Sequence, residues 1–164
     1  MDLLEQLVAA LREELQQYGQ MLLLLDQQQE YVLQRATGDV LNSVADVEMQ
    51  GMVIQKARED RVRLQSSVAL SFGLAGAATF SELLEVLPLN FRLLVHALVE
   101  ENNSLLVRVQ QRVRQNHLLL ARSLELMQRF VRSLFPSQEP ARYNDSGTLL
   151  GCFMPANALY EAVG

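Results

Sequence analysis

Leu4, Leu11, Tyr18, Leu25 and Val32 recur every seven positions, and Leu7 and Met21 take a second position in the same frame. Val8, Leu15 and Leu22 widen this into a broad apolar stripe on one face of a helix. The pattern predicts a first helix over residues 2–36. Glu14 and Gln28 interrupt the second position, so the seam is imperfect. Thr37-Gly38-Asp39 then breaks the pattern; Gly38 suits a helix C-cap and Asp39 the N-cap of a second helix. Helical spacing resumes over residues 40–70 at Val40, Val44, Val47, Ile54, Ala57, Leu64 and Val68. Gly51 lies inside this run, where it costs about 1 kcal/mol relative to Ala and leaves room for a close neighbour.

Residues 71–79 (Ser-Phe-Gly-Leu-Ala-Gly-Ala-Ala-Thr) read as a loop. Its glycines do not make a phosphate-binding loop, because no Gly-Lys-Ser/Thr follows and no strand precedes. Thr79-Phe80-Ser81-Glu82 has the capping-box pattern and should start a short helix over residues 80–86. Pro88 ends it and Asn90 caps a final helix over residues 90–135, a stretch without one Gly or Pro. Phe91, Val95, Leu98, Leu105, Val109, Leu119, Leu126 and Phe130 form its stripe. Asn102, Arg112, Asn116 and Ser123 fall on the same stripe. They read either as register-fixing residues of a coiled coil or as the mark of a partly exposed face. The last helix should span roughly 65–70 Å and the first two about 45–55 Å each. Rods of this kind joined by short turns predict an all-α fold, an elongated up-down-up antiparallel bundle of three long helices with one short connecting helix.

The pattern changes at Pro136. Pro136-Ser137-Gln138-Glu139-Pro140 stops the helix and opens an irregular tail over residues 136–164. Tyr143-Asn144-Asp145-Ser146-Gly147 is turn-rich, and Leu149, Leu150, Phe153, Met154, Leu159, Tyr160 and Val163 crowd the end. Pro155 suits the first turn of a short amphipathic helix over residues 155–163. Two readings stand: the tail folds back on the bundle, or it is flexible and orders on a partner through apolar anchors.

Composition narrows the function classes. Leu-rich, Trp-free chains with abundant Gln, Glu and Arg are typical of long helices. A net charge of −5 argues against nucleic acid as the main partner, which needs a basic footprint. The charge is uneven: residues 1–60 hold 11 acidic and 4 basic side chains, whereas residues 103–135 hold 6 Arg and one Glu. These segments either face each other in the bundle or offer a basic partner face. Cys152 is the single Cys, so no internal disulfide can form. The start, Met1-Asp2-Leu3-Leu4-Glu5, has no signal-peptide pattern, and Met21 to Leu25 is too short an apolar run to span a bilayer. The expectation is a cytosolic protein without direct membrane insertion. His96 and His117 lie 21 residues apart on one helix and cannot share a metal. Glu13-Glu14, Glu59-Asp60 and Glu100-Glu101 read as solvated helix faces. No catalytic residue, metal site or cofactor is expected, and the chain does not read as an enzyme.

The order Gly38-Asp39, then Glu101-Asn102-Asn103 and Arg114-Gln115-Asn116 on the long helix, then Tyr143 followed four later by Gly147, resembles the FlgN family of flagellar type III export chaperones. The resemblance spans the chain in length and layout. It implies a chaperone for the hook-filament junction proteins FlgK and FlgL that binds their helical C-terminal region, prevents early assembly and delivers them for export. It further implies that Tyr143 docks on the cytoplasmic domain of the export gate. The client-binding segment would hold Leu149, Leu150, Phe153, Met154, Leu159, Tyr160 and Val163, matched by location and amphipathic character. The alternative is a non-enzymatic coiled-coil scaffold or adaptor that self-associates through its tail.

Overall fold

The computed structural model describes residues 2–134, and the backbone of Arg142–Tyr143 and Leu149–Leu150. Residues 2–134 form α1 (Leu3–Leu33), α2 (Thr37–Ser71), α3 (Phe80–Val86) and α4 (Leu89–Leu134). By internal contacts the chain divides into a unit over residues 1–123 and another over residues 124–164.

In the first unit, α1 and α2 run antiparallel: Gln50 bonds to Gln17, and Arg61, further along α2, bonds to Glu14, further back along α1. α1 and α4 run parallel, because Asn102 donates to the Leu11 carbonyl and Asn116 to the Leu25 carbonyl, both 91 residues back. This is the predicted up-down-up arrangement of three long helices.

The apolar stripes meet in two clusters. Near the α3 end, Leu4, Leu7, Val8 and Leu11 pack with Val68, Ala69, Ala78, Leu83, Leu87, Val95 and Leu98. Further along, Tyr18, Met21 and Leu25 of α1 pack with Ile54 of α2 and Val109 of α4. Full burial of side chains such as Leu7, Leu83 and Val95 contributes about 1.5–3 kcal/mol each. Three apolar positions placed on the core stripes by spacing are exposed instead: Val44, Leu126 and Phe130.

The helix ends correct several expectations. α1 stops at Leu33, before Gly38, and Gly38 and Asp39 lie in the first turn of α2. Arg35 takes the left-handed conformation at φ 57. Its N–H donates to the Val32 carbonyl while the Ala36 N–H reaches back to Tyr31. These are the two bonds of a Schellman cap, made here with Arg where Gly is usual. The same cap closes α2 with the expected residue: Gly73 has φ 76, its N–H donates to Leu70 and that of Leu74 to Ala69. Gly51 does not mark a close approach, because a Cβ there would meet nothing among the described residues within 4 Å.

Thr79 and Glu82 form the expected capping box of α3, with Thr79 N–H donating to the Glu82 carboxylate at 2.7 Å and Glu82 N–H to Thr79 Oγ1 at 3.3 Å. At the start of α4, the Pro88 carbonyl accepts from Phe91 and Arg92, which leaves Asn90 inside the first turn rather than at the cap. Arg92 ties the α3–α4 corner together by donating to the Glu85 and Leu87 carbonyls.

In the second unit, Arg142–Tyr143 pairs antiparallel with Leu149–Leu150, so the tail carries a two-residue ladder that periodicity did not suggest. The intervening Asn-Asp-Ser-Gly-Thr is the kind of sequence that permits a reversal. The helix expected over residues 155–163 lies outside the described residues.

Candidate partner-binding surface

Glu14 and Gln28, which interrupt the α1 seam in sequence, are both 4% exposed and are part of its construction. The solvated face expected for Glu14 is corrected by its position on the core side of α1. Its carboxylate accepts from the Tyr18 hydroxyl at 2.8 Å and from Arg61 Nε at 2.9 Å, with Arg58 at 3.8 Å. Arg61 also donates to Gln65, whose amide reaches the Ala78 carbonyl, and its guanidinium lies 5.7 Å from the Phe80 ring centre. A buried carboxylate is tolerated where it is paired and hydrogen-bonded in this way.

Burial pushes the Tyr18 hydroxyl up to about 12, helped by the hydrogen bond and the negative charge of Glu14 and opposed by Arg58 and Arg61. These groups line a polar cavity of about 320 Å³ with Asn102, Asn103 and Ser81. The pairing of Glu14 with Arg61 and Tyr18 gives it a structural role, and the cavity places no histidine or cysteine beside it. Among the described residues no group of three His, Cys, Asp or Glu side chains could hold a metal. His96 and His117 are exposed, and His96 faces Glu100 at 3.6 Å.

The charge asymmetry is only partly absorbed by the bundle. Arg112 bridges to Asp26 at 2.8 Å and donates to Gln29, joining α4 to α1. Arg129 pairs instead with Glu125 on its own helix. Arg122 and Arg132 are exposed near the α4 end.

That end carries unused apolar area. Asn116 is the last buried residue of α4. Beyond it Leu118, Leu124, Leu126, Met127, Phe130, Val131 and Leu134 are all at least half exposed. Leu126 and Phe130 lie four residues apart, while Leu124, Met127, Val131 and Leu134 make a second stripe at three- and four-residue spacing. Large exposed apolar patches mark interaction sites. A separate apolar groove of about 470 Å³ lies between Leu24 on α1 and Met49, Met52 and Val53 on α2.

Of the tail residues singled out in the sequence, the ladder brings the backbones of Tyr143 and Leu149 opposite each other, with Leu150 opposite Arg142. Phe153, Met154, Leu159, Tyr160 and Val163 lie outside the described residues. Spacing alone puts Leu126 and Phe130 in the core, whereas both are exposed.

The described residues form a helical bundle whose longest helix carries exposed apolar side chains near its end. The family model described as FlgN protein matches residues 1–151, and the chain belongs to that family. Its members are non-enzymatic, cytoplasmic flagellar export chaperones for the hook-associated proteins FlgK and FlgL. No curated protein and no solved structure gives a match. The matched segment contains Tyr143, Leu149 and Leu150, and stops short of Phe153 and the anchors after it. No described helix is long and apolar enough to cross a membrane.

Proposed function

We propose that this chaperone binds the helical C-terminal region of a FlgK- or FlgL-like junction protein on the exposed end of α4 together with the tail. The observation that carries this reading is the run of exposed apolar side chains from Leu124 to Leu134. A client helix that polymerises through its own apolar face finds there a competing one. Leu149, Leu150, Phe153, Met154, Leu159, Tyr160 and Val163 add anchors from the tail. If the tail orders on binding, that cost subtracts about 2–5 kcal/mol from the gross interaction. Affinity then stays moderate over a large contact, and the client can be released without nucleotide hydrolysis. Tyr143 serves the later step, docking on the cytoplasmic domain of the export gate.

Co-purification with the junction protein tests this. Removing residues 141–164 should weaken capture strongly while the helical signal of residues 2–134 persists. Tyr143→Ala should leave capture intact and reduce export of the client. Undiminished capture by the truncated chain would remove the tail from the client site. Loss of capture in Tyr143→Ala would move Tyr143 from the gate to the client. A stable dimer that is lost on truncation, with no junction protein captured by the intact chain, would favour the self-associating scaffold.

A further inference from the structure

We propose that α2 carries a self-complementary face on which a second copy of this chain docks, α2 antiparallel to α2, across a two-fold axis between Met49 and Val53. The face is made of residues other than those of the client surface and does not rest on that proposal. The buried stripe of α2 includes Ser43, Ile54 and Ala57. One position earlier, about 100° round the helix, a second stripe steps by three and four residues from Asp39 to Arg63. Its centre is apolar: Met49 is 60% exposed and Val53 45%, with Met52 beside them at 66%. With Leu24 of α1 they line the groove of about 470 Å³, which Asp46 and Lys56 also line. Asp39, Asp46, Lys56 and Arg63 are all exposed.

The charges on this stripe identify the occupant. In a two-fold interface a residue that meets a second residue is met by it in return. With Met49 facing Val53 of the second copy, the same register sets Asp46 against Lys56, Asn42 against Asp60 and Asp39 against Arg63. Each pairing occurs twice, and none sets like charges opposite each other. Sliding by one heptad either way keeps only one of the two opposite-charge pairings and sets Met49 against Asp46 or Asp60. Asp46 and Lys56 cannot pair within one chain, because their separation along α2 is roughly 15 Å. Neither has an ion pair among the described residues. Arg63 bonds to Asp60 of its own helix at 2.8 Å, an exposed pair that contributes little and leaves Arg63 free to reach Asp39 of the second copy. The apolar centre supplies the burial, and the charged ends select partner and register. A helix with an apolar face alone would match the centre of this surface and not its ends.

The test is sedimentation velocity of the full chain over a concentration series without junction protein. Cys152→Ser is present throughout, so that no disulfide can join two copies. A reversible monomer–dimer equilibrium is expected. Asp46→Lys places like charges opposite each other twice and should weaken dimerisation about tenfold or more. Asp46→Lys/Lys56→Asp exchanges the two charges and should restore it, a recovery that a contact within one chain does not produce. Met49→Glu should abolish the dimer. These are exposed positions, and the helical signal should be unchanged in every variant. Should Asp46→Lys lose that signal, Lys56→Asp alone is read by the same criteria. A monomer at every concentration would overturn the proposal. So would a dimer indifferent to Asp46→Lys, which would place self-association on another surface such as the tail, and so would a double variant that fails to recover.

Discussion

Tyr18 and Glu14 show how a buried polar pair couples to pH. The Tyr18 hydroxyl is raised from 10.0 to about 12, chiefly by burial. A group whose folded value lies above its unfolded one contributes stability that is complete below the unfolded value. That contribution is lost as pH rises toward the folded value. Thermal melts from pH 9 to 11.5 should therefore show a decline that is reduced in Tyr18→Phe; equal slopes in both proteins would contradict the assignment. Glu14→Ala removes the carboxylate that Arg61 and Tyr18 share. Urea unfolding should register a loss of about 3 kcal/mol, the lower end for a broken buried pair, because Arg61 keeps some solvent contact. At this scale the sequence is only half legible. Spacing places Glu14 on the core side of its helix, but its neighbour Glu13 and the general habit of carboxylates suggest solvent. Its partner Arg61 is 47 residues away on another helix, a relation that no local pattern carries.

At the scale of elements, the regular parts of the chain are readable and the ends are not. The stripes of α1, α2 and α4 follow from seven-residue recurrence. The short helix α3 follows from Thr79 and Glu82, whose side chains meet as the pattern requires. The first break is misplaced by sequence because Gly38 is the residue that ordinarily supplies a left-handed cap, and here Arg35 adopts that conformation. Replacing Arg35 with Gly should relieve about 1 kcal/mol of backbone strain, offset in part by the greater freedom of Gly in the unfolded chain. A small rise in Tm is expected, and a fall would show that the Arg35 side chain stabilises the corner. The α3 cap is acid-sensitive in the opposite sense to Tyr18. Hydrogen bonds from Thr79 hold the Glu82 carboxyl below its ordinary 4.5. Its contribution is present above that ordinary value and is lost as pH falls through the lower folded value. Titrating Glu82 by carboxyl-carbon NMR should give the depressed value, and Thr79→Ala should raise it only part of the way, because the backbone N–H of residue 79, the larger cause, still donates to the carboxylate.

At the scale of the whole molecule, the proposed client surface is the exposed end of α4. α4 has 46 residues against 31 in α1, and Leu124, Leu126, Met127, Phe130, Val131 and Leu134 near its end are at least half exposed. The all-helical, up-down-up arrangement can be read from the sequence because it depends on recurrence and turn length. The exposed stretch cannot be read from α4 alone, since Leu126 and Phe130 look like core residues there. The measurement that bears most directly on this account is calorimetric binding of the junction protein's C-terminal helical peptide to the full chain and to Leu126→Glu/Phe130→Glu. Losing burial of two such side chains removes about 3 kcal/mol or more, so affinity should fall at least a hundredfold with helical content unchanged. Equal affinity in the two proteins would contradict the claim that the exposed end of α4 receives the client.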